Sequence, residues 1–95
     1  MNTSEEAHEK KLKEEKLRVV RNILKTEDGK EFIKALLIST RVEEGTLKSN
    51  DVGESNYWAG QQNLGFEIKG DCLQACEATT LTILGEIHSK HIRNR

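Results

Sequence analysis

The chain has 95 residues, of which 35% are hydrophobic, 33% charged and 4% aromatic, with a formal net charge of -1. A domain this small buries only about 60–65% of the surface its unfolded chain exposes, and so low an apolar fraction puts it near the limit of folding alone, where docking on a partner or on further copies is expected. No apolar run approaches the roughly 20 residues needed to cross a bilayer, and the charged residues 1–16 exclude a secretory signal or an anchor.

The spacing predicts a first helix from Thr3 to about Lys25, with Thr3 and Glu6 as a capping box. Its apolar residues crowd into the second half, where Leu17, Val20 and Leu24 follow helical periodicity. Before Leu12 there is almost nothing to bury. The first three turns are therefore expected to project into solvent, supported by Glu6–Lys10 and Glu9–Lys13 pairs, or to lie on a partner. The chain divides into a charged helical leader, residues 1–16, and a helical domain, residues 17–95.

Thr26 is the expected N-cap of a second helix, with Glu27 and Asp28 in the first turn, where the helix dipole favours negative charge. Phe32, Ile33, Leu36, Leu37 and Thr40 form its apolar stripe, and it should end near Arg41 or Val42. A polar loop from Glu43 to Glu54 follows, long for a helical bundle and so a candidate contact site. Ser55 can cap a third helix through Tyr57, Trp58, Leu64, Ile68, Cys72 and Ala75. Gly60, Gly65 and Gly70 interrupt it, each unfavourable by about 1 kcal/mol against alanine, which points to close approach of another backbone or a local break. The last segment, about Glu77 to Ile92, sets Thr80, Leu81, Leu84, Ile87, His88 and His91 at helical intervals; a strand over Thr79–Leu84 would lack a pairing partner. The fold class is all-α, a small bundle of three to four helices with an extended charged N-terminal helix.

Cys72, Cys76, His88 and His91 supply the ligand types of a structural zinc site, but the cysteine pair is wider and the histidine pair tighter than the usual signature, so no metal ligand and no cofactor is assigned. The two cysteines read instead as reduced, half-buried thiols of a cytosolic compartment. No phosphate loop, serine elbow or His-Glu-x-x-His pair is present, and the adjacent acids Glu43 and Glu44 read as a solvated edge, so no catalytic residue is assigned and a non-enzyme is expected. Seven cations of the first helix, Lys10 and Lys13 among them, are interleaved with five acids, which leaves nucleic-acid binding weak. Tyr57 and Trp58 diverge by about 100° on a helix, so one can enter the core while the other faces outward as an interface anchor. The partner-binding residues expected are Lys10, Lys13, Glu43, Glu44, Tyr57 and Trp58.

Asp28, Gly29 and Lys30, then Leu36 and Leu37, then Gly45, then Tyr57, Trp58, Gly60, Gln61, Gln62 and Gly65 form a pattern spanning about Val19 to Leu84. It resembles a small family of tailed-bacteriophage proteins encoded beside the head genes, of the type first named in a Bordetella phage. Family members carry arginines at Gln61 and Gln62 and a proline near Glu77 and Ala78. The resemblance implies a structural virion protein, internal, portal-associated or ejected, made in the host cytoplasm, contacting head, portal or tail proteins and forming homo-oligomers. A small nucleic-acid-binding regulator and a zinc-stabilised adaptor are the alternatives.

Overall fold

The computed structural model describes residues 3–45 and 50–93, with side chains for residues 4–45 and 50–89. It is an all-α bundle of four helices: α1 (Thr3–Ile23), α2 (Glu27–Ser39), α3 (Val52–Ala75) and α4 (Glu77–Arg93). There is no strand among the described residues, and Thr79–Leu84 lies inside α4.

Local chemistry sets the ends of the elements. Thr26 caps α2 by accepting from the Gly29 N–H at 2.9 Å, and a Cβ at Gly29 would collide with the Ile23 carbonyl and with Thr26 Oγ1, so the tight α1–α2 turn needs glycine there. α2 stops at Ser39, short of the expected Arg41 or Val42, because Arg41 adopts the left-handed conformation at φ 56°. The cap of α3 lies four residues before the expected Ser55: the Asp51 carboxylate accepts from Glu54 N at 3.0 Å, while Ser55 N–H already bonds Asp51 O within the first turn. The Thr3 side chain of the expected capping box lies outside the described side chains.

Lys16 reaches Asp71 and Arg21 reaches the Ala75 carbonyl, so α1 and α3 run past one another in the same sense. Lys34 of α2 reaches Glu86 of α4, and Glu43 just past α2 reaches His88, so α2 and α4 likewise run in the same sense. Two parallel pairs thus interleave in an up-down-up-down bundle.

The core sits at one end. Leu24, Ile33, Leu37, Val42, Cys72, Ile83, Leu84 and Ile87 form its buried cluster, with Val20, Ile23, Leu36 and Ile68 packed against it. At its edge α3 meets the end of α2 through Gly65, where a Cβ would stand 2.9 Å from both Thr40 Cβ and Val42 Cβ and collide with Thr40 Oγ1. Of Gly60, Gly65 and Gly70 in α3, Gly65 alone makes the expected close approach; Gly60 and Gly70 face open space.

Beyond Gly65 the core stops. Ser4–Lys16 of α1 are all exposed, and α3 from Val52 to Leu64 has no buried residue. The chain accordingly exposes 7016 Å², against about 5,500 Å² for a compact monomer of its mass. Its radius of gyration is 15.9 Å where about 12 Å is usual, and its principal extents are 49 × 34 × 17 Å.

Candidate interaction surface

The core-free stretches of α1 and α3 carry apolar side chains into solvent. Leu12 is 53% exposed, Tyr57 58% and Leu64 49%, and Phe66, on the outer face of the packed half of α3, is 53% exposed. Leu64 of the expected apolar face of α3 is exposed, as are Phe32 of the α2 stripe and Leu81 of α4. The reason is geometric: the stripe that enters the core of α3 is Gly65, Ile68, Cys72 and Ala75, and upstream of Gly65 no other helix covers its continuation. On α1, Leu12, Lys16 and Val19 share one face at helical spacing, and Lys16 lines a shallow groove of about 400 Å³ with Phe66, Glu67, Gly70, Asp71 and Gln74. Lys16 bonds Asp71 at 2.8 Å yet stays 63% exposed. That bond holds its ammonium above the usual lysine value.

A second cluster forms the corner between α2 and α3. The Arg41 guanidinium donates to both oxygens of Glu44 at 2.8–3.0 Å, and its central carbon lies 4.8 Å from the centre of the Trp58 ring. Hydrogen bonding to Glu44 raises the Arg41 pKa. Tyr57 stacks edge-on against Trp58 at 5.1 Å and 77°. Gln62 Nε2 donates to the carbonyls of Arg41 and Gly45, which ties the left-handed turn to α3. Trp58 is half-buried against Arg41 while Tyr57 faces outward, the divergence expected of neighbours on a helix.

Glu44 is exposed, as expected of a solvated edge, but Glu43 is not. Glu43, 17% exposed, bonds Lys69 at 2.9 Å and lies 3.7 Å from His88 Nε2, joining the end of α2 to α3 and α4. Both acids answer cations of their own chain. Lys10 and Lys13 are exposed on α1, away from this corner. No ion pair joins Glu6 to Lys10 or Glu9 to Lys13 among the described residues. Residues 46–49 of the loop proposed as a contact site lie outside the described residues.

The cysteine and histidine side chains weighed as zinc ligands do not converge among the described residues. Cys72 is buried in the core, and that burial pushes its thiol above the ordinary value. Cys76 is the single extended residue between α3 and α4, at φ -158° and ψ 93°, so the two sulfurs do not share a helical face. Its Sγ sits 3.2 Å from Thr79 Oγ1, and hydrogen bonds from the Thr79 side chain and backbone hold the thiol below its ordinary value. His88 is turned to Glu43, and the His91 side chain lies outside the described side chains. Among the described residues no three His, Cys, Asp or Glu side chains are placed to hold one metal ion.

Arg41 and Phe66 are the residues that sequence reasoning missed. Phe66 had a signal, since it is out of phase with the Gly65, Cys72 and Ala75 stripe and so had to face away from the core. Arg41 had none, because arginine has no preference for left-handed backbone. No family model, curated relative or solved structure matches the chain.

Proposed function

We propose that the chain is a non-enzymatic structural component of a multi-subunit particle of the tailed-phage kind, acting through protein–protein contacts made by the core-free parts of α1 and α3. One observation carries this reading: Leu12, Tyr57, Leu64 and Phe66 stand about half exposed on helices that extend beyond the core. Exposing that much apolar surface along a protein's long dimension is unfavourable unless something covers it. The resemblance of Asp28–Lys30, Leu36–Leu37 and Tyr57–Gly65 to the phage head-module family supports the setting, a particle built from many copies. Virion and host cytoplasm are its proposed locations.

The test is to isolate the native complex and determine its composition. A capsid, portal or tail protein in fixed ratio is the expected result. Recovery with nucleic acid alone, lost steeply between low and moderate salt, would replace this reading with a regulator. A chain lacking residues 1–11 should unfold at nearly the same temperature as the intact protein but enter the complex poorly. If unfolding collapses while the surviving folded chain assembles normally, α1 belongs to the core and the reading fails.

A further inference from the structure

Downstream of α1 the described cations are neutralised: Lys30, Lys34, Arg41 and Lys69 each meet a carboxylate within 3.0 Å. Along α1 only Lys16 does so. Lys10, Lys11, Lys13, Arg18, Arg21 and Lys25 are exposed and make no ion pair among the described residues. Carboxylates are not in short supply, since the chain has 16 acids to 15 lysines and arginines; none is placed against these side chains. Counted along the sequence, the acids of α1 nearly cancel its cations, but the helix separates them. Ala7, Lys11, Glu14, Arg18, Arg21 and Lys25 recur at alternating intervals of four and three residues and form one stripe, with Lys10 on its flank and Lys25 in the turn that closes the helix. Glu14 is the acid of that stripe. At 100° per residue, Glu5, Glu6, Glu9 and Glu15 lie about 80° or more round the helix from its centre.

We infer that this stripe binds the phosphate backbone of duplex nucleic acid, without regard to base sequence. From Lys11 to Lys25 it runs about 20 Å at a rise of 1.5 Å per residue. A duplex carries about one negative charge per 1.7 Å of its axis, so a straight row of cations finds phosphates along its whole length. An acidic protein segment would instead need carboxylates at matching intervals. The stripe has no aromatic ring on which an unpaired base could stack, which favours a duplex over a single strand. It has no apolar side chain larger than that of Ala7 to enter a bilayer, and Leu12 and Val19 lie about 120–140° round the helix, which favours nucleic acid over a membrane surface. Arg21 is anchored at one end of the row, because its Nε donates to the Ala75 carbonyl at 3.2 Å.

This inference goes beyond the assembly reading and does not rest on it. Leu12 stands on another side of α1, so a protein partner there and nucleic acid on the stripe can be held at once.

The experiment is fluorescence anisotropy of a labelled duplex of about 20 base pairs and arbitrary sequence, titrated with the full chain at salt concentrations from roughly 50 to 200 mM. Circular dichroism establishes that each variant is folded. Affinity should fall with salt at a log–log slope of about -4, the value for roughly four or five neutralised phosphates. K11Q and R18Q should each weaken binding about threefold or more and bring the slope about one unit nearer zero, whatever the sequence of the duplex. K13Q removes the same charge about 120° round the helix from the stripe and should leave affinity within about twofold. E14K should tighten binding. No binding at about 50 mM salt, an affinity indifferent to salt, or a K13Q loss as large as that of K11Q would each overturn the proposal. So would tighter binding to a single strand of the same length, or to phosphatidylglycerol vesicles, than to the duplex. A chain that ignores the duplex yet co-isolates with a capsid or portal protein would remove this inference and leave the assembly reading standing. Duplex binding by a chain recovered with no such protein would do the reverse.

Discussion

The two halves of α3 are held in different ways. From Gly65 to Ala75 the helix is pinned by contact so close that Thr40 and Val42 leave no space for a methyl group, and Cys72 is sealed in the core. From Val52 to Leu64 the same helix is fixed by its Asp51 cap and by Gln62 and Trp58 at the corner, with no buried residue. Packing holds one half and hydrogen bonds at a few points hold the other. A chain of this size has core enough for about half its helical length, and the remainder is available for contact.

The sharpest way to break that comparison is a pair of truncations. Leu37→Ala in the core should cost about 2–5 kcal/mol in urea unfolding, whereas Leu12→Ala should cost less than about 0.5 kcal/mol at concentrations where the chain is monomeric. Equal losses would show that the exposed arm is part of the core. Within α3 the glycines should then give opposite signs. Gly65→Ala should destabilise by about 1–3 kcal/mol, because Thr40 and Val42 cannot both retreat. Gly60→Ala and Gly70→Ala, with nothing near the added methyl, should raise stability by up to about 1 kcal/mol each.

The thiols sharpen the comparison at the α3–α4 junction. Cys76 should react with iodoacetamide in the folded protein and Cys72 should not, as mass spectrometry of the labelled peptides would show. The Cys76 rate should rise with pH and level off below the ordinary thiol range, since Thr79 lowers its pKa. By linkage, a depressed folded pKa adds stability as pH rises through that value, in full above the ordinary thiol value, and the gain is lost as pH falls again. Cys76→Ser should remove this pH dependence. The smallest effect expected is that of Lys16→Met, which should leave the urea midpoint of unfolding nearly unchanged because the pair is largely solvated.

Element existence was legible wherever periodicity and capping agreed. Thr26, Glu27 and Asp28 announce the start of α2, and Leu17, Val20 and Leu24 mark the inner face of α1. Boundaries failed where two caps competed, as Asp51 and Ser55 did, since both residue types accept a backbone N–H equally well and only the tertiary position of the loop selects one. The corner was half legible. Tyr57 and Trp58 were named for their amphipathic rings, but their link to Glu44 runs through the left-handed Arg41, which no local preference announces. Glu43 was misread because an acid's ion-pair partners, here Lys69 and His88, lie 26 and 45 residues away in sequence. That distance is fixed by topology and not by spacing.

A single extended residue, Cys76, separates a helix of 24 residues from one of 17. Two backbone angles are all the slack between them, so mechanically α3 and α4 form one bent rod with Gly65 resting on α2 as its fulcrum. With so little chain between them, the direction of α4 is set by that of α3, and the Glu43–Lys69 and Glu43–His88 contacts fix both to the end of α2.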